Sequence, residues 1–133
     1  MFIIANYLSK GHSGARLIVI QTLIEMLNKN VVPVIPEKGS VGSSGDLAPS
    51  AHLVLVLIGK GEAFYKGKRM NGEKAMKLAK INPISLEAKE GLALINNTSA
   101  MSSVAAQALF KAQKLLLASE LTASLSLEAL RGT

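Results

Sequence analysis

Apolar residues fall in blocks along this chain, and the spacing inside the blocks changes from one to the next. Ser13 stands as an N-cap ahead of a helix running to about Asn28. Its Ile18, Leu23, Ile24 and Leu27 recur at helical steps and form an apolar stripe. The following VVPVIPEKG forbids helix, because Pro33 and Pro36 each push the residue before them into extended geometry. Asp46 then reads as an N-cap, with Pro49 in the first turn, where its missing N–H is not needed, and a buried helix runs from Leu47 to about Ile58. Residues 61–70, GEAFYKGKRM, predict a short hairpin with Gly67 in its turn, and Asn71 predicts the cap of a small amphipathic helix carrying Ala75, Leu78 and Ala79. Ser85, Glu87 and Lys89 open a segment that reaches Ile95, and residues 98–130 read as one long helix or two. The few charges there, Lys111, Lys114, Glu120 and Glu128, leave most of the circumference apolar, which implies burial on more than one side. The rest of the chain offers little to surround such a helix, so partner helices are expected from outside it. The fold class that follows is mainly α: a helical bundle segment with a short β-hairpin, in one segment over residues 1–133.

Composition supports that class. Of 133 residues 49% are hydrophobic but only 4% aromatic, with no tryptophan, so the apolar content is mostly aliphatic and favours packed helices over a β-sandwich. The net charge of +6 would suit an acidic partner, yet the lysines are scattered and there are few aromatics to stack on bases, which argues against nucleic acid. Without cysteine the chain has neither disulfides nor thiolate metal ligands, and His12 and His52 are the remaining nitrogen ligands, so no metal is expected. A reducing cytoplasm fits that usage. The N-terminal MFIIANYLSKG is too short and too quickly polar to span a membrane. Residues 91–110 carry no charge, but Asn96, Asn97, Thr98 and Ser99 would lie inside such a span, so a buried helix start is expected there in place of a membrane segment.

The stretch GSVGSSGDLAP, residues 39–49, carries the candidate chemistry. It is not a phosphate-binding P-loop, which ends in Gly-Lys-Ser/Thr; here Gly45 is followed by the acid Asp46. It spells neither G-x-G-x-x-G nor the nucleophile elbow G-x-S-x-G. A flexible linker stays open as one reading, although the flanking VVPVIP and LVLVLI favour a place in a folded interior. The other reading is cyclisation of Ser43-Ser44-Gly45. A glycine amide, free of Cβ, can curl back onto the carbonyl two residues earlier. If Gly45 N attacks the Ser43 carbonyl with loss of water, and Ser44 loses its hydroxyl as a second water, the product is a five-membered ring with an exposed methylidene carbon. That carbon is an electrophile that ordinary side chains do not provide, and it would sit just ahead of the positive end of the helix that Asp46 begins.

PVIPEKGSVGSSGDLAP, followed by AHLVLVLIGKGEAFYKG, AKEGLALINNTSAMSS and LSLEALRGT, closely resembles the histidine ammonia-lyases of the aromatic amino-acid lyase and aminomutase superfamily, over essentially the whole chain. The resemblance implies the internal cofactor 4-methylideneimidazole-5-one (MIO), formed autocatalytically from Ala-Ser-Gly, and a mostly helical homotetramer that eliminates ammonia from L-histidine to give urocanate. It implies that Ser44 becomes the methylidene, that Gly45 donates the ring nitrogen and that Asp46 is the acid following them. Asn96 matches the family asparagine beside the cofactor, where its amide would hydrogen-bond the ring carbonyl; from local sequence alone it reads equally as a helix N-cap. The chain departs from the family at Ser43, which replaces Ala but contributes only its carbonyl to the ring. It departs also at Asn97 for Gly, at Ser99 for Gln, and at Ser50 for an apolar residue, whose hydroxyl is expected to bond a backbone carbonyl one turn back. His12 reads as a loop histidine and His52 as a satisfied core histidine, neither catalytic. Family regions upstream and downstream that complete the substrate pocket have no counterpart in residues 1–133, so the chain reads as the central, MIO-bearing segment. Tyr7 and Tyr65 fall outside the family positions, the catalytic base is expected elsewhere, and the chain alone is expected to be inactive. A non-catalytic helical assembly module, a truncated inactive homologue and a related aromatic amino-acid lyase or aminomutase are the alternative readings.

Overall fold

A computed structural model describes residues 1–41 and 45–132. The elements run α1 (Phe2–Ser9), α2 (Leu17–Asn28), β1 (Val32–Pro33), α3 (Leu47–Leu57), β2 (Glu62–Tyr65), β3 (Lys68–Asn71), α4 (Gly72–Leu78), α5 (Glu90–Ile95) and α6 (Ser99–Ala129). Two compact units result, Met1–Ala100 and Met101–Thr133.

In the first unit α1 packs on α2, and α3 packs on α4 and α5. Leu23, Met26, Val31, Leu53, Val56, Leu57, Met76 and Leu94 form the centre of its core. Each such side chain contributes roughly 1.5–3 kcal/mol by leaving water. The three strands form an antiparallel sheet in the order β1-β2-β3, with Val32 opposite Phe64 and Tyr65 opposite Lys68. The proline-bearing segment expected to be extended is thus also a paired edge strand, a position that tolerates Pro33. The hairpin turns at Lys66 and Gly67, both at positive φ, the two-residue geometry whose twist matches that of the strands it joins. The Asn71 side chain accepts the Glu73 N–H at 2.9 Å and caps α4, as its place in the sequence predicts.

Several expected details are corrected. The helix expected from Ser13 starts at Leu17, because Gly14 at φ +68 and the extended Arg16 interrupt it; the Ser13 hydroxyl donates to the Tyr7 hydroxyl at 2.7 Å instead. The buried row of α2 is Val19, Leu23 and Met26, while Ile18 and Ile24 are exposed. Apolar residues circle most of this helix, so its spacing alone does not choose a face. In α4 the buried residues are Gly72, Ala75 and Met76, with Ala79 at its end; Leu78 is exposed, about 200° around the helix from Met76. The N-terminal helix α1, which buries Ile4, Ala5 and Leu8, has no counterpart among the sequence-based elements.

In the second unit α6 continues as a single helix to Ala129. Its Val104, Leu109, Phe110, Leu116, Leu117, Leu121 and Leu125 are exposed among the described residues, and the burial expected on several sides is not found there. Among the described residues no helix is long and apolar enough to cross a membrane.

Candidate active site around Gly45 and Asn96

The start of α3 meets the end of α5. Gly45 is held at φ +107, a conformation that side-chain-bearing L-residues rarely adopt. A Cβ built on it would lie 2.8 Å from Asn96 Oδ1, 3.2 Å from Asn97 N and 3.3 Å from Asn97 O. The backbone here therefore approaches Asn96 and Asn97 as closely as only glycine permits. The next residue continues the contact: Asp46 N–H donates to Asn97 O at 3.2 Å. Asn96, Gly45 and Asp46 are thus brought together, while Ser43 and Ser44 lie outside the described residues.

Asp46 occupies the N-cap position of α3 and is buried, but its carboxylate makes no capping bond to the helix; it accepts the Ser40 hydroxyl. Asn96 is no N-cap either. It terminates α5, its N–H donating to Leu92 O at 2.9 Å. The capping falls to Asn97, whose Oδ1 accepts Ser99 N–H at 3.0 Å and whose Nδ2 donates to Leu94 O at 2.8 Å. Asn97 therefore fastens the end of α5 to the start of α6. Ser50, expected to bond back along its helix, does not: Oγ is buried without a partner, and the Asp46 carbonyl one turn back already accepts Ser50's own N–H at 3.3 Å.

At the other end of α5 lies an ion pair that sequence spacing does not signal, since its partners are 74 residues apart. Glu90 is 1% exposed. Its Oε1 accepts Arg16 Nε–H at 2.8 Å and Arg16 backbone N–H at 3.0 Å; its Oε2 accepts Arg16 Nη2–H at 2.9 Å and Glu87 N–H at 2.7 Å. The Arg16 hydrogen bonds, aided by these backbone N–H groups, hold the Glu90 carboxyl down at about 2 against the opposing effect of burial, and they raise Arg16 in turn. Arg16 also reaches Glu87 and the Ser85 carbonyl.

The profile of the aromatic amino acid lyases matches residues 1–133. The chain belongs to that family. It is 58% identical over 132 residues to the histidine ammonia-lyase of Caldanaerobacter subterraneus subsp. tengcongensis, covering 99% of this chain and 26% of that protein. It is also 58% identical to the histidine ammonia-lyase of Alkaliphilus oremlandii, with the same coverage. Among solved structures, histidine ammonia-lyase from Trypanosoma cruzi superposes on 98% of this chain and 26% of its own, with a TM-score of 0.91 and 40% identity. Phenylalanine aminomutase from Pantoea agglomerans covers 74% of this chain and 18% of its own, with a TM-score of 0.68 and 47% identity. The chain spans about a quarter of the length of the curated relatives it matches.

The remaining candidate side chains lie apart from Gly45 or are otherwise engaged. His12 is exposed in a turn. His52 is half-buried and lines a small cleft with Pro36, Lys38, Gly39, Ala48 and Pro49, so it is not the core histidine expected; the core-facing row of α3 runs through Ser50, Leu53, Val54 and Leu57. Tyr7 is bonded to Ser13, and Tyr65 lies on the hairpin beneath the Lys66 ammonium. Among the described residues no group of three His, Asp or Glu side chains is placed to hold a metal ion.

Proposed function

We propose that this chain carries the ring-forming core of a histidine ammonia-lyase, in which Ser43, Ser44 and Gly45 condense to MIO for the elimination of ammonia from L-histidine to give urocanate. The observation that carries the reading is Gly45, held at φ +107 with no room for a Cβ against Asn96. Such a cradle fits the tripeptide's ring nitrogen donor. In forming the ring, Gly45 N bonds to the Ser43 carbonyl carbon, whose oxygen leaves as water, and Ser44 loses Oγ and its α-hydrogen as a second water. Once formed, the ring supplies an electrophilic methylidene carbon.

The chain's own residues bind and orient. Asn96 brings its side-chain amide beside Gly45, with Oδ1 the nearest atom; by family resemblance the NH2 of that amide donates to the ring carbonyl, where negative charge develops. Asp46, bonded to Asn97 through its backbone, fixes the exit of the tripeptide into α3. Ser43 lends only its carbonyl, so its hydroxymethyl is a spectator. The base that takes the β-proton and the group that holds the substrate carboxylate lie outside residues 1–133, and the chain alone turns over no histidine. The exposed apolar face of α6 supports a homo-oligomer, a tetramer by family resemblance, and the absence of cysteine from the sequence fits a cytoplasmic enzyme.

Intact mass tests the ring. The folded chain should be lighter than its sequence by two waters, Ser43→Ala should behave likewise, and Ser44→Ala and Gly45→Ala should keep full mass. An unmodified Ser44 in an assembly that makes urocanate from L-histidine would overturn the reading.

A further inference from the structure

The two ends of α5 carry different contacts. At its start Glu90 gathers four hydrogen bonds from Arg16 and Glu87. At its end, about 9 Å further at 1.5 Å per residue, Asn96 and Asn97 lie against Gly45 and Asp46. A helix of six residues is too short to hold itself by internal hydrogen bonds. The residue before it, Lys89, stands at φ +73, a left-handed conformation that a lysine keeps only where neighbours hold it. The Glu87 N–H bond to Glu90 Oε2 closes that same turn. α2, whose N-cap is Arg16, is separately secured by Val19, Leu23 and Met26 in the core.

We propose that the Arg16–Glu90 pair is a positioning element of the site, fixing where α5 begins and thereby seating Asn96 against Gly45. This rests on the reading of Gly45 and Asn96 as ring neighbours. Neither Arg16 nor Glu90 touches the tripeptide among the described contacts; both act through α5. A pair that merely added stability would protect every element alike.

Amide hydrogen exchange on this chain separates the two cases. Glu90→Gln should speed exchange of the Asn96 and Asp46 amides on the order of tenfold, while the Leu23 and Met76 amides change by less than about twofold. Arg16→Lys, which keeps the charge but loses the planar fork, should give a smaller change with the same pattern, and it carries the measurement if Glu90→Gln does not fold. Unchanged Asn96 and Asp46 amides, or equal acceleration at all four, overturns the proposal. Mass is scored separately: a wild-type chain without the two-water loss sinks the ring reading, while exchange still decides the positioning. Where the ring forms, Glu90→Gln should slow the two-water loss without changing its endpoint.

Discussion

α3 and α6 are both apolar helices whose first turns are tied to Asn97, yet they differ in what their apolar residues meet. α3 buries Leu53, Val54, Val56 and Leu57 among elements close to it in sequence, the hairpin, α4 and α5. α6 exposes Leu115, Leu116 and Leu117 in succession. Apolar content states that a helix requires partners; it does not say whether the same stretch of chain provides them.

Truncating one leucine in each helix should therefore give unequal results. Leu57→Ala should cost roughly 2–5 kcal/mol in urea unfolding followed by circular dichroism. Leu117→Ala should cost less than about 0.5 kcal/mol at high dilution. A penalty for Leu117→Ala that appears only as concentration rises would reveal association through α6; one independent of concentration would erase the contrast.

Acid should act on the buried region next most strongly. The Glu90 carboxyl is held from its usual 4.5 down to about 2, so its contribution is complete above pH 4.5 and is lost as pH falls through 2. Holding the carboxyl from 4.5 down to about 2 amounts to about 3 kcal/mol at most. Urea midpoints measured across this range should fall in the wild type, and Glu90→Gln should remove that part of the fall. A smaller loss, about 1 kcal/mol, is expected when Asn71→Ala removes the cap of α4, read from thermal unfolding.

How much of this was legible in the sequence depends on the range of the interaction. Gly67 and Asn71 announce the turn and the cap because both act within a few residues. The tight approach at Gly45 was legible because a glycine directly ahead of the helix that Asp46 begins marks a place where a Cβ would not fit; the chemistry read at Ser43 and Ser44 came from family resemblance. The face of α2 was not, since Ile18 and Ile24 are as apolar as Val19 and Met26, and only packing against the core chooses between them. Nor was the Arg16–Glu90 pair, whose partners have no local signature. Ser50 failed because its hydroxyl, unlike those of Thr22 and Thr122, does not turn back to the carbonyl four residues earlier. Because that hydroxyl is buried unpaired, Ser50→Ala should be neutral or stabilising by up to about 1 kcal/mol, checked by the same urea titration.

The separation of Arg16 from Glu90 also orders events in time. A contact spanning 74 residues forms only after much of the intervening chain has been made, and its closure carries a loop entropy that local turns avoid. Residues 43–45 leave the ribosome about fifty residues before Asn96, an interval of a few seconds at about 5–20 residues per second. During that interval the tripeptide has neither Asn96 nor Asn97 beside it. The neighbours of Gly45 thus arrive late in synthesis, and the Arg16–Glu90 pair at the far end of α5 closes only once residue 90 has been made.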